Sequence, residues 1–261
     1  MTAPIPRDIP DLPAIPGMSP LLPSAVPATA VVAPLRRPWT GIYRLLVALA
    51  AAAAVTVEAL LGTPAHVLSH FAIQSNILLA MVLALSARRA WTARRPLPPA
   101  LTGATVLYVT IASLVYHLLL VQTSPPFSLT DAPGVHTVWQ ALATQILHTV
   151  TPIAALLDWL LLTAPGGLHL RQAAPWLLYP MAYLAYCLTR GELLPPGTPG
   201  RYLYPFLDVD QHGYKHVLGN ALLLGLSFYA LAVLLVALDH ARPNPIRRRS
   251  KTGFRLQPPV G

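Results

Sequence analysis

The stretch HFAIQSNILLAMVLALSA, His70–Ala87, decides the fold class of this chain. It carries no acidic residue, lysine or arginine, and its second half is almost wholly apolar. Because ~20 helical residues cross a ~30 Å hydrocarbon core, such a run predicts a transmembrane helix. Three polar residues, Gln74, Ser75 and Asn76, stand near its start. They form either a functional site or only the polar end of a helix.

The composition of the whole chain also predicts a membrane protein. Of 261 residues, 54% are hydrophobic and 10% are charged, and the mean hydropathy is +0.54. Soluble domains carry about 25% charged residues. The single cysteine, Cys187, excludes an internal disulfide and a multi-cysteine metal site.

Six apolar spans predict an all-α polytopic membrane protein whose six transmembrane helices form one bundle over residues 39–241. The spans are Ile42–Leu61, Phe71–Ala87, Leu101–Val121, Val138–Thr163, Ala173–Leu188 and Val217–Leu238. Residues 1–38 contain 10 prolines and no helical or strand period. They are expected to form a disordered tail, as is the basic segment 242–261.

The distribution of basic residues predicts the orientation. The N-terminal tail, the second and fourth loops and the C-terminal tail hold 3, 4, 1 and 6 Arg and Lys residues, 14 in all. The opposite loops and the start of the last helix hold only 3. Cytoplasmic loops carry an excess of Arg and Lys, so both termini are expected in the cytoplasm. The protein itself is expected in the plasma membrane. This placement accounts for the net charge of +9 without nucleic acid as a partner.

With this orientation, the polar residues of the spans converge on the outer half of the membrane. They are Glu58, Gln74, Ser75, Asn76, His117, His148 and Asn220. Helical spacing puts Ala72, Ser75, Asn76 and Leu79 on one face and turns Gln74 away from Asn76. The three polar residues Gln74, Ser75 and Asn76 therefore cannot act as a single unit.

His148 is the strongest candidate for a functional residue. Ionisable groups inside a membrane are costly and by default mark a site. Pro152 cannot donate to the carbonyl of His148, so an imidazole and an unpaired acceptor are expected together. The other candidates have structural alternatives: Ser75 and Asn76 as bonds between helices, His117 as an interfacial residue, and Glu58 as a side chain that reaches outward.

Three stretches together resemble one family. They are HFAIQSNILL, LHTVTPIAALLDWLL (Leu147–Leu161) and YLYPFLDVDQHGYKHVLGNALLL (Tyr202–Leu224). They look like the bacterial branch of the androgen-induced-protein-like membrane family, which includes the androgen-dependent regulator of tissue factor pathway inhibitor. The resemblance covers residues 42–240. It implies a six-helix fold and intramembrane hydrolysis of fatty acid esters of hydroxy fatty acids.

The family implies a threonine and a histidine as catalytic residues. The histidine matches His148, but the threonine position is Ala72 here. The nearest hydroxyl on the same face is Ser75, one turn deeper. The hypothesis is a lipid-ester hydrolase or acyl-transfer enzyme in which Ser75 is the nucleophile, His148 the base, and Asn76 or Gln74 an oxyanion donor.

In this hypothesis Glu58, His117 and Asn220 contribute to binding a lipid ester from the outer leaflet. No cofactor or metal is expected, the partners are membrane lipids, and the oligomeric state is open.

One alternative is a catalytically silent lipid-binding or scaffold protein, which Ala72 favours. Another is a haem protein with His117 and His148 as axial ligands. No repeat between the halves supports a transporter.

Overall fold

The computed structural model describes residues 36–123, 127–130, 138–198 and 200–243. Within these residues every regular element is a helix, and no strand occurs. The helices are α1 (Pro38–Leu61), α2 (Pro64–Leu68), α3 (Phe71–Trp91), α4 (Pro99–Leu120), α5 (Val138–Leu162), α6 (Ala173–Trp176), α7 (Leu178–Leu193) and α8 (Val209–Ala241). Short 3₁₀ turns lie at Leu170–Gln172 and Pro205–Leu207.

Five of these helices, α1, α3, α4, α5 and α8, are long and apolar enough to cross a membrane. This agrees with the prediction of an all-α membrane protein. The start of α3 at Phe71 coincides with the predicted boundary. The start of α1 lies earlier than predicted, because Pro38 suits the first helical turn, where a missing N–H costs nothing.

The remaining predicted span, Ala173–Leu188, is not one continuous helix. It divides between α6 and α7 at Leu177, whose N–H bonds the Ala174 carbonyl in a tightened turn. Pro180 cannot donate to the Trp176 carbonyl, which instead accepts from the Tyr108 hydroxyl at 2.9 Å. At 16 residues, α7 is about 24 Å long. Six spanning helices are therefore not confirmed.

The centre of the structure is formed by α1, α3, α4 and α5. Small residues of α1, among them Ala51 and Ala54, are buried where α1 packs along α3. Small side chains at such an interface let two helix backbones approach closely. α5 contacts both α1 and α4, and an ion pair of 2.7 Å joins Arg44 of α1 to Asp158 of α5.

α8 lies at the edge of this group, and most of its surface is exposed. The Asp208 carboxylate caps its first turn, and Gly213, with φ 72° and ψ 156°, interrupts its helical backbone. At the other end, Arg242 pairs with Asp239 and donates to backbone carbonyls at the end of α5. α8 is therefore tied to α5 at its C-terminus.

The predicted tails fall almost entirely outside the described residues. Only 36–38 and 242–243 of the two tail segments are described. The expected disorder of residues 1–38 and 242–261 stays a prediction.

Candidate functional site

An apolar cleft lies between the first turn of α3 and helices α4, α5, α7 and α8. It contains about 730 Å³ of empty space, part of which is open to the surroundings. Only three of the described residues that line it have polar side chains: His148, Tyr183 and Tyr204. Clefts that are mainly apolar and carry a few polar groups are the usual sites for small ligands.

The orientation of the His148 ring is fixed from two sides. Nδ1 lies 3.0 Å from the Thr144 carbonyl, which can only accept, so Nδ1 carries the proton of the neutral ring. The Tyr116 ring stacks on the imidazole at 4.2 Å between centroids. Among the described residues Nε2 has no hydrogen-bond partner, and it is the nitrogen with a free lone pair. A histidine held this way is arranged as a base.

The backbone around His148 departs from α-helical geometry. Ile146–Val150 forms a π turn, a feature that often marks functional sites. The His148 carbonyl, which Pro152 leaves without a helical donor, accepts a 2.6 Å hydrogen bond from the Ser113 hydroxyl of α4. The expectation that this acceptor is unpaired is therefore wrong, because a neighbouring helix supplies the donor.

The α3 face predicted from helical spacing is buried. Ala72, Ser75, Asn76 and Leu79 are each no more than 4% exposed. Ala72 lines the cleft together with His148. Ser75 does not line it, and its hydroxyl donates to the Ala72 carbonyl of its own helix at 3.0 Å. The structure thus places His148 on the same cleft as Ala72, the position to which the resemblance assigns a threonine, and it leaves Ser75 outside the lining of that cleft.

Asn76 and Gln74 use their amide groups in structural hydrogen bonds. Asn76 Nδ2 donates to the Leu147 carbonyl at 3.1 Å, and its Oδ1 accepts from the Thr151 hydroxyl at 2.6 Å. Gln74 accepts from the Tyr179 hydroxyl at 2.8 Å. Neither residue lines the cleft. The structure gives neither amide the position of an oxyanion donor.

Glu58 is completely buried between α1 and α5. Its Oε1 accepts from the Thr144 hydroxyl at 3.1 Å, and its Oε2 has no partner among the described residues. It does not reach outward to an interface. Thr144 connects it indirectly to the base, because the Thr144 carbonyl holds His148 Nδ1. Glu58 therefore lies outside the cleft lining and is linked to His148 only through Thr144.

His117 and Asn220 also lie outside the cleft lining. His117 is exposed, and its Nε2 lies 3.0 Å from a threonine hydroxyl of α5. The Asn220 amide is 3.5 Å from the Phe206 carbonyl. Since His117 does not line the cleft that contains His148, the haem alternative gains no support. Among the described residues no group of three or more His, Cys, Asp and Glu side chains could hold a metal ion.

The two cleft tyrosines were not anticipated as site residues. Both hydroxyls accept from the backbone N–H of Phe71, at 3.1 Å for Tyr183 and 3.3 Å for Tyr204. They come from α7 and from the loop before α8, so only tertiary packing brings them to the start of α3. The Tyr-Pro-Phe-Leu stretch that contains Tyr204 was the one available sequence signal.

Comparisons of the chain with models of protein families, with curated proteins and with solved structures gave no match.

Proposed function

We propose that this protein binds a long-chain acyl lipid in the cleft and hydrolyses its ester, with His148 as the general base. One observation carries the proposal: a buried histidine lines an apolar cleft with Nδ1 bonded to a carbonyl and Nε2 unoccupied. Nothing in a purely structural role requires a free imidazole lone pair beside an empty apolar space. The resemblance to the androgen-induced-protein-like family supports the same reaction class.

The nucleophile that this geometry favours is water. Ala72, the cleft residue at the family's threonine position, offers only a methyl group, and the Ser75 hydroxyl bonds within its own helix. Nε2 of His148 takes a proton from water as the water oxygen attacks the ester carbonyl carbon. The ester C–O bond then breaks, the same proton goes to the leaving alkoxide, and a fatty acid and an alcohol are released.

Turnover of a fluorogenic long-chain ester by purified, detergent-solubilised protein tests this function. His148→Gln should lower kcat by about 10²- to 10⁴-fold, the usual contribution of a general base. His117→Gln is the matched control, because it changes an exposed histidine outside the cleft, and it should leave kcat unchanged. Ser75→Ala should also retain turnover. Equal rates for wild type and His148→Gln would refute the proposal.

The second candidate is a lipid-binding protein without catalysis, favoured by the methyl group of Ala72 in the cleft. It predicts co-purified acyl lipid, visible by native mass spectrometry, with no turnover by wild type. Covalent labelling of Ser75 by a fluorophosphonate would contradict this candidate and would also make serine, not water, the nucleophile of the first.

The same proposal includes the plasma membrane as the location, with both termini in the cytoplasm. The arginines that precede α1 and follow α3 support this orientation, because the Arg37 N–H bonds the Ala90 carbonyl and the two helix ends are therefore neighbours. Reporter fusions at each terminus, one active only in the cytoplasm and one only outside it, test this orientation. Activity of the external reporter at either terminus would refute it.

A further inference from the structure

Four residues of α8 line the cleft, and they share one face of the helix. They are Ala221, Leu224, Gly225 and Phe228. Their i, i+3, i+4, i+7 spacing is that of a single helical face. On the other side of α8, the side chains are 58–66% exposed at Leu222, Leu223 and Leu226. α8 therefore turns the face that carries Gly225 toward the cleft.

Gly225 leaves empty space in this wall of the cleft. Among the described residues, a Cβ atom added to Gly225 would meet no heavy atom within 4 Å beyond its own stretch of helix. Gly103 of α4 is different, because a Cβ there would lie 2.8 Å from Leu168 and 3.0 Å from Trp176. Gly103 lets two elements pack closely. Gly225 has no such contact to allow, so its missing side chain enlarges the cleft.

Gly225 lies on the path between the two ends of the cleft. Phe228, one turn further along α8, packs against the apolar cluster that contains Ile111 of α4. Val217, two turns before Gly225, belongs to the cluster that contains Leu120 of α4. Ile111 and Leu120 both line the cleft. Val217 and Phe228 are about 16 Å apart along α8, and an extended acyl chain that reaches from one cluster to the other passes Gly225.

We propose that Gly225 determines the length of the acyl chain that the cleft accepts, because its missing side chain leaves the space through which a long chain reaches Phe228. This rests on the proposed function only in taking the ligand to be an acyl lipid. A side chain at position 225 would fill this space without displacing a neighbour. It would shorten the binding site and leave the fold intact.

Esters of two chain lengths test the proposal in a direct binding measurement. Radiolabelled methyl palmitate and methyl octanoate are each titrated into detergent-solubilised wild type, Gly225→Ala and Gly225→Leu. Each methylene kept out of an apolar site weakens binding by about fourfold. Gly225→Leu adds four carbon atoms, so it should weaken binding of the palmitate ester by about tenfold or more. The octanoate ester fits in the space that remains and should lose less than about fourfold, the contribution of one methylene. Gly225→Ala should give an intermediate loss for the palmitate ester.

Gly219→Leu is the matched control. Gly219 belongs to the same helix, does not line the cleft, and has equal room for a Cβ among the described residues. Gly219→Leu should leave the affinity for both esters unchanged. Both leucine variants should unfold at or above the temperature of wild type, because glycine is unfavourable inside a helix. Equal losses for the two esters in Gly225→Leu would overturn the proposal. So would identical binding by the two leucine variants, or a Gly225→Leu protein that does not fold.

The outcome for catalysis is separate from the outcome for binding. A palmitate preference that Gly225→Leu removes, without turnover of either ester by wild type, would refute the hydrolase and leave the role of Gly225 standing. Turnover of both esters by wild type, with the same ratio of kcat/KM in Gly225→Leu, would refute the role of Gly225 alone.

Discussion

Asn76→Ala should destabilise the protein through the loss of two hydrogen bonds between α3 and α5. The Asn76 side chain is completely buried, donates to the Leu147 carbonyl at 3.1 Å and accepts from the Thr151 hydroxyl at 2.6 Å. Hydrogen bonds between membrane helices contribute about 0.6 kcal/mol on average and up to about 1.7 kcal/mol each. The free energy of unfolding should therefore fall by about 1–3 kcal/mol.

A double-mutant cycle with Thr151→Val isolates the shorter of these bonds. Valine keeps the shape of threonine and removes the hydroxyl that bonds Asn76 Oδ1. Unfolding of each variant in mixed micelles, titrated with a denaturing detergent, gives the four free energies. The two changes should be coupled by about 0.6–1.7 kcal/mol, so the double variant should lose less than the sum of the single losses.

Ser75→Ala is the control for this cycle, since the Ser75 hydroxyl bonds only within α3. It should change the free energy of unfolding by less than about 0.5 kcal/mol. Zero coupling between Asn76 and Thr151, or an equal loss for Ser75→Ala and Asn76→Ala, would refute the assignment of Asn76 as a bond between helices.

Two other predictions concern charge. Burial lowers the pKa of His70, which lies outside the predicted spans, to about 3 from 6.5. Between these two pH values the unfolded chain binds a proton that the folded chain does not. As the pH is lowered through this range, the free energy of unfolding should therefore fall by up to ~1.4 kcal/mol per pH unit relative to His70→Gln. Parallel pH profiles of the two proteins would contradict this. Arg44→Leu leaves the Asp158 carboxylate nearly buried without its partner, and should lower the free energy of unfolding by about 3 kcal/mol. Adding Asp158→Leu should restore part of this loss, and a further loss in the double variant would show that the pair is not coupled.

The α3 face was predictable because helical periodicity depends only on spacing along the chain. Burial of Ala72, Asn76 and Leu79 follows the predicted i, i+4, i+7 pattern. The partners of Asn76 were not predictable in the same way. They lie on α5, where a π turn at Ile146–Val150 shifts the register that a regular helix would have.

The cleft itself depends on contacts between elements far apart in sequence. Tyr204 lies in a loop, and periodicity gives no information about where a loop side chain points. The division of the fifth predicted span has the same origin. Pro180 leaves the Trp176 carbonyl without a helical donor, and the Tyr108 hydroxyl of another helix bonds this carbonyl instead. Hydropathy detects the apolar stretch, and tertiary packing decides whether it is one helix or two.

Pro152 connects the packing of this protein to its chemistry. Proline has no N–H for the carbonyl four residues earlier, His148, or five residues earlier, Leu147. Both carbonyls accept side-chain donors instead, from Ser113 of α4 and from Asn76 of α3. α5 is therefore joined to two neighbours at the turn that carries the His148 ring. A histidine on a turn that is held by bonds to two separate helices has little freedom to move, which is the condition that the proposed hydrolysis sets for His148.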